Sequence, residues 1–391
     1  MKIKVIWVML SLIIALSMVL VSCAKPAPTP TPTPTSTATP TPTPTPTTEA
    51  PPEVIELTFA NYFPPAASQS KMLEQFCKDV EEQTGGKIKF NYYTGGTLLT
   101  GPAVYQGIVD GVADIGYSAI HYTPGRFPVT EVITSTLGWP SAWVGAHVAM
   151  EFYNKYKPAE WDDVKVLWIQ ANMPKVLATK KPVRTLADLK GLIIRAAGSA
   201  GDIITALGGT PSSMQTSEMA DAISKGTLDG AYLPYETLKT YKTADVAKFV
   251  TTCWQVGSTD CFYLVMNKDA YKKLEALPEA KAIFDRICGQ YFEYFSGLVW
   301  NQIDFAGVEY AKSMNVQFID LSAAELTKWQ NAAEPAVEKY KTTMVGKGYS
   351  AAEVQGWIDF IKERIDYWTA QQELLKIPSA TGTEKMQHPV D

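Results

Sequence analysis

Apolar positions along this chain fall into three regimes. From Val5 to Val21 they run nearly unbroken, and from Pro26 to Pro52 the chain is almost wholly Pro and Thr. From Glu53 onward they recur with strand or helix period, which predicts alternating β and α elements. Val54 to Ala60 alternates as a strand; Ser68 to Gln83 follows as a helix with Met72, Leu73, Phe76 and Val80 on one face. Gly85-Gly86 ends it, and Ile88 to Tyr92 is the next strand. Phe127 to Trp139 is β-prone, Ser141 to Tyr156 reads as a helix, and Val164 to Gln170 as a strand leading to Lys175. Val250 to Met266 is a long β-rich stretch that could cross between lobes, and Glu279 to Ser313 a long helix crowded with aromatics. Ser322 and Glu325 form a capping box opening a helix towards Lys347, and Ser350 to Leu375 is a last amphipathic helix.

One arrangement occurs twice. Gly95-Gly96-Thr97 precedes a helix from Ala103 to Asp110, then Gly111-Val112-Ala113-Asp114 and Ile115-Gly116-Tyr117. Gly208-Gly209-Thr210 precedes Ser217 to Lys225, then Gly226-Thr227-Leu228-Asp229 and Gly230-Ala231-Tyr232. Two similar α/β lobes facing each other would make a cleft, a preferred place for ligands.

The second unit carries the most pointed chemistry. Thr185 and Asp188 make a capping box, Gly191 stops the turn, and Leu192-Ile193-Ile194 is a buried-strand run that delivers Arg195 at its carboxyl end. Ligands of open α/β sheets bind beyond that end of the strands. A guanidinium there offers a planar fork of donors matched to a carboxylate. The competing reading is an ordinary structural or surface ion pair.

The 391 residues can bury a large core in two lobes, and the formal charge of −5 gives no electrostatic case for nucleic acid. Of the three histidines, His388 sits in a polar tail, and neither His121 nor His147 has a G-x-S-x-G elbow to serve. Without HExxH, paired Cys-x-x-Cys or an Asp-rich calcium loop, neither a metal nor a cofactor is expected. Cys253 and Cys261 bracket Gly257-Ser258, so a local disulfide is conceivable, but four buried thiols (with Cys77 and Cys288) fit a large core better.

Lys2 and Lys4 before a short apolar run describe a secretory signal. Cys23, after Leu20-Val21-Ser22, resembles the lipobox of bacterial lipoproteins, which implies cleavage before Cys23 and a lipid on its thiol. The Pro/Thr stretch then reads as an extended spacer of ~3.1 Å per residue. The globular part is therefore expected outside the cytoplasm, tethered to the membrane.

From Val54 to Glu363 the chain resembles the solute-binding proteins of tripartite ATP-independent periplasmic (TRAP) transporters, of the C4-dicarboxylate-binding type. The resemblance rests on Lys190-Gly191-Leu192-Ile193-Ile194-Arg195, Ser217-Glu218, Asp229-Gly230 and Pro234, with Phe76, Thr84-Gly85-Gly86, Gly111 and Asp114. It implies a two-lobed periplasmic-binding-protein-like α/β fold with crossing strands and a long inter-lobe helix, closing on a small organic acid for a membrane permease. It also implies that Arg195 forms the salt bridge to the ligand carboxylate. Lys175 stands where the family often has a second arginine, and Leu233 where an asparagine is common. Tyr62, Tyr117, Ser118 and Thr216 match cleft-lining positions, and Phe63 joins them on proximity alone. The loss of asparagine and the aromatic lining favour a carboxylate with an apolar or aromatic body. The boundaries expected are 1–22 for the signal, 23–52 for the lipidated Cys and linker, 53–172 with 259–298 for lobe I, 173–258 with 299–363 for lobe II, and 364–391 for a helix end and tail. An exported hydrolase or lyase, a ligand sensor, and an adhesin-like surface protein are the alternatives. The histidine census argues against the enzyme and the Arg195 unit against the adhesin.

Overall fold

Two mixed sheets carry the architecture. The computed structural model describes residues 54–381, with the backbone alone for 296–298. The signal, Cys23, the linker and the last ten residues lie outside the described residues. The strands are β1 (Ile55–Asn61), β2 (Ile88–Tyr93), β3 (Ile115–Ala119), β4 (Val164–Ala171), β5 (Val176–Thr179), β6 (Ile193–Arg195), β7 (Thr210–Ser212), β8 (Gly230–Leu233), β9 (Phe249–Thr252), β10 (Cys261–Asn267) and β11 (Gln317–Asp320). Lobe I has the order β2-β1-β3-β10-β4 and lobe II β11-β9-β5-β8-β6-β7.

The repeat is present, with one correction to its alignment. In each lobe three parallel strands, β2-β1-β3 or β7-β6-β8, are followed by antiparallel strands that belong to the crossings. Asp114 accepts from the Thr58 amide at 2.7 Å while its own amide donates to Thr58 at 2.8 Å. Asp229 does the same with Ile193, at 2.8 Å both ways. Each G-x-x-D segment thus clips the start of its strand to the parallel neighbour. Gly208-Gly209 comes between a helix and β7, and its counterpart is Gly85-Gly86, between the helix Ser68–Gln83 and β2. Gly95-Gly96-Thr97 comes after β2, so its likeness to Gly208-Gly209-Thr210 is turn chemistry and not common position.

The β-rich stretch Val250 to Met266 is β9 in lobe II and β10 in lobe I, joined by a short 3-10 turn at Trp254–Val256. Beside it the chain crosses the other way from β4 to β5. The two crossings are laced together: the Asn172 amide donates to Asp260 O at 3.0 Å, the Asp260 amide to Asn172 Oδ1 at 2.8 Å, and the Lys175 amide to Ser258 O at 2.8 Å. The long aromatic helix is Pro278–Glu293 and Trp300–Ser313 with a π-helical stretch, Tyr294–Val299, between them.

Two segments differ from expectation. Phe127 to Trp139 contains no strand; it holds a 3-10 helix, Thr130–Thr134. Pro128 lacks an amide for a ladder, and the Glu160 carboxylate takes the Val129 and Thr130 amides at 2.9 and 2.7 Å. The helix Ala351–Leu375, placed in lobe II as far as residue 363 by the expected boundary, shares the core of lobe I while also packing on the helix Ala323–Gly346. Its Ile358, Ile361 and Ile365 share a core with Val148 and Phe152, and Arg364 forks onto Glu151. Cys77, Cys253, Cys261 and Cys288 are buried free thiols.

Candidate ligand-binding site

Arg195 is placed by the elements the sequence announced. Thr185 and Asp188 cap the short helix Leu186–Leu189 reciprocally, and Gly191 turns the chain at φ +80°, a left-handed conformation that a side chain would strain. β6 then runs three residues between β7 and β8 and ends on Arg195. The side chain folds inward and is 1% exposed. Its Nε and Nη2 donate to Met214 O at 3.2 and 3.0 Å, and Nη2 also donates to Thr216 Oγ1 at 3.0 Å. Both acceptors are neutral. Among the described residues, no carboxylate pairs with Arg195, and its Nη1 donates no hydrogen bond.

Arg195 lines a small cavity with Tyr62, Phe63, Leu233, Pro234, Tyr241 and Phe262 and with the polar His121, Asn172, Thr216, Glu236, Thr237 and Asp260. A water-sized sphere has only ≈ 10 Å³ there, room for about one water. An outer hollow of ≈ 250 Å³ adjoins it, sharing Tyr62 and Tyr241 as walls and opening past Pro65, Gly101, Tyr122 and Ser217. Roomier hollows of ≈ 220 and ≈ 450 Å³ lie along the helix Ala323–Gly346. There Lys339 and Asp202 already pair with each other. Across the cavity mouth the lobes touch: Tyr122 of lobe I shares a 3.2 Å hydrogen bond with Thr216 of lobe II.

Of the expected site residues, Arg195, Tyr62, Phe63, Thr216 and Leu233 meet at this cavity. Three do not line it. Lys175 is buried in a 2.8 Å ion pair with Asp260. Burial lowers the Lys175 pKa against the pull of Asp260. Burial would raise the Asp260 carboxyl, but Lys175 and His121 outweigh it and hold Asp260 well below the usual carboxylate range. Tyr117 lies behind the wall, stacked on Phe262 at 5.9 Å with its hydroxyl accepting from Gln170. Ser118 Oγ donates to Gly101 O at 2.9 Å and tethers a loop.

Sequence reasoning missed Asp260, His121, Tyr241, Phe262 and Glu236. Asp260 had a visible signal, since it is a lone acid inside a β-rich apolar run. His121 Nδ1 lies 3.2 Å from Asp260 Oδ1, and burial lowers its pKa against the pull of Asp260. Glu236 is buried, and burial pushes its carboxyl up to about 7 although Thr240 and Gln69 oppose the rise.

Residues 59–343 match the bacterial extracellular solute-binding protein family 7 (DctP). The chain belongs to that family, whose proteins work outside the cytoplasm. A solute-binding protein of Albidiferax ferrireducens is 25% identical over 294 residues, which are 69% of this chain and 80% of that one. A TRAP solute-binding protein of Rhodoferax ferrireducens T118, solved with copurified benzoate, is 27% identical and covers 81% of this chain and 99% of its own, with a TM-score of 0.75. A marine metagenome TRAP solute-binding protein specific for aromatic acid ligands, solved with metahydroxyphenylacetate, is 26% identical over 80% and 99% of the two chains, at the same TM-score. The two-lobed α/β fold expected from the sequence is the fold of these proteins.

Proposed function

We propose that this protein captures a small monocarboxylate with an apolar or aromatic body by clamping its carboxylate on Arg195, and delivers it to a TRAP membrane permease. One observation carries the reading. Arg195 is a guanidinium buried to 1% exposure with neutral acceptors only, and a buried charge is tolerated when it is paired. The partner is supplied by the guest. The charge count sets its valence: Lys175 is neutralised by Asp260, burial resists ionisation of Glu236, and Arg195 is the cation left to be matched, so one carboxylate suffices. Tyr62, Phe63, Leu233 and Phe262 offer the rest of the guest apolar and aromatic surface. The cavity admits a guest of benzoate size only when the lobes part, so capture is an opening and closing about the crossing strands. The relatives solved with benzoate and metahydroxyphenylacetate bind guests of this kind. Export by the signal, lipidation at Cys23 and the Pro/Thr linker would hold the two lobes near the membrane that carries the permease.

Calorimetric titration with benzoate, phenylacetate and succinate tests the reading. Arg195→Ala removes one member of a buried pair and is expected to cost about 2–5 kcal/mol, so affinity for the preferred acid falls by orders of magnitude. An unchanged affinity in that variant refutes the assignment, and tight succinate binding with no aromatic acid bound refutes the monocarboxylate.

A further inference from the structure

The cavity has a second polar pole that the carboxylate clamp does not use. Glu236 lines the same small cavity as Arg195, is 3% exposed, and its Oε2 has no hydrogen-bond partner among the described residues. Its position is built. The Glu236 amide donates to Asp304 Oδ1 at 2.8 Å, on the helix Trp300–Ser313, and Thr237 Oγ1 donates to Pro234 O at 2.7 Å. The helix comes close there because residue 307 is glycine: a Cβ on it would collide with the Tyr235 carbonyl. Gln69, fully buried on the helix Ser68–Gln83, lies against the Glu236 carboxyl and helps to hold its pKa down, although neither atom of its amide reaches full hydrogen-bond geometry. Buried polar groups in native proteins are overwhelmingly satisfied, so a carboxyl oxygen left open beside a ligand cavity calls for an unseen partner.

We propose that Glu236 receives a hydroxyl group on the body of the guest, so that the cleft selects hydroxylated monocarboxylic acids over their unsubstituted parents. The inference rests on the carboxylate reading above, since Arg195 must hold the acid end for Glu236 to read the rest. A hydroxyl suits this site better than a second carboxylate, which would face the acids Glu236 and Asp260 with no unpaired cation beside Arg195 to match it. It suits it better than an ammonium as well. A carboxyl that burial pushes up to about 7 resists carrying the charge an ammonium needs, whereas a hydroxyl can donate to it ionised or bond to it neutral.

The test is a set of matched acids titrated into the purified protein: phenylacetate, mandelate and phenylglycine, and benzoate with 3-hydroxybenzoate and 4-hydroxybenzoate. At least one hydroxy acid is expected to bind about 10- to 100-fold more tightly than its parent, the range of a hydrogen bond to an ionisable group. In Glu236→Leu the ratio of hydroxy acid to parent should fall towards one, and in Glu236→Gln, which still hydrogen-bonds, it should persist. The proposal is overturned if no hydroxy acid is preferred, if the preference survives Glu236→Leu, or if phenylglycine is the tightest of its set. If no acid binds at all, the carboxylate reading falls and takes this one with it; if acids bind without discrimination, only the role of Glu236 falls.

Discussion

The two lobes are built on one plan and used for different work. β1 and β6 are each flanked by two parallel strands, and in each lobe an aspartate after a left-handed glycine, Asp114 after Gly111 and Asp229 after Gly226, clips the central strand to its neighbour. Beyond those clips the lobes diverge. Lobe II ends β6 on Arg195 and brings Thr216 to it, whereas lobe I ends β1 at Asn61 and presents Tyr62 and Phe63. Asn61 is itself consumed by structure: its Nδ2 donates to Ser70 Oγ and Tyr92 Oη, and its Oδ1 accepts from the Phe63 amide. Lobe II therefore supplies the guanidinium and lobe I most of the aromatic face. The shared scaffold sits at the start of the strands, and the difference at their carboxyl ends, where a residue can change without disturbing the ladder.

The crossing strands are where this division can be broken hardest. Lys175 and Asp260 sit on opposite crossings, and the pair reads as a structural rivet, not as part of the grip. Asp260→Ala leaves a buried ammonium unmatched and should cost about 3–5 kcal/mol of unfolding free energy, read from the urea midpoint of the purified protein. The sign in pH follows from the depressed Asp260 carboxyl. Its contribution is complete above the unfolded value of about 4 and is lost as pH falls towards the lower folded one. A variant of near-normal stability that binds acids more tightly would instead make Lys175 a second ligand cation, as its place in the family pattern implied.

Much of this was legible in the residues, and the failures share a cause. The capping box at Thr185, the serine cap at Ser322, the glycine stops and Arg195 at a strand's end are local signals, each set by a few neighbours in sequence; the other half of the box expected at Ser322 is missing because Glu325 takes the Leu186 amide instead. The partner of Lys175 is 85 residues away at Asp260, because two strands cross side by side, and no periodicity records that. Glu236 was invisible for the same reason: two residues past Pro234 it resembles any polar turn residue, and its burial depends on distant groups such as Asp304, which holds its amide, and Gln69 beside its carboxyl. The misaligned glycine pair shows the limit of motif matching. Gly85-Gly86 and Gly95-Gly96 offer the same dipeptide ten residues apart, and strand order alone tells which corresponds to Gly208-Gly209. Tyr117 and Ser118 are on the right strand, but a strand's two faces alternate and β3 is covered on both.

The clips themselves offer the most direct test that the lobes are equivalent. Asp114→Ala and Asp229→Ala each remove a charge-assisted bond to one strand amide, expected to cost about 1.5–3 kcal/mol apiece. Urea unfolding of both variants should give losses matched to within about 0.5 kcal/mol, a tolerance of the order at which independent sites add. A large loss from one and none from the other would mean that the repeated G-x-x-D is a resemblance of sequence and not of mechanics.

The smallest expected effect is the one that joins the lobes. Thr216 Oγ1 accepts from Arg195 and shares a hydrogen bond with Tyr122, so one hydroxyl links the charged lobe to the aromatic one. Because the bond spans the two lobes, the opening proposed above would break it, and it then biases closure by its own free energy. Tyr122→Phe deletes it while keeping the ring that packs edge-on against Tyr62 at 5.1 Å. The net worth of such a bond is about 0.5–1.5 kcal/mol, so affinity should fall about 2- to 10-fold. Stopped-flow release should carry the loss, since the bond forms after encounter and resists reopening. If affinity and release are both unchanged, aromatic packing alone shuts the cleft, and the division into a gripping lobe and a covering lobe needs no polar link between them.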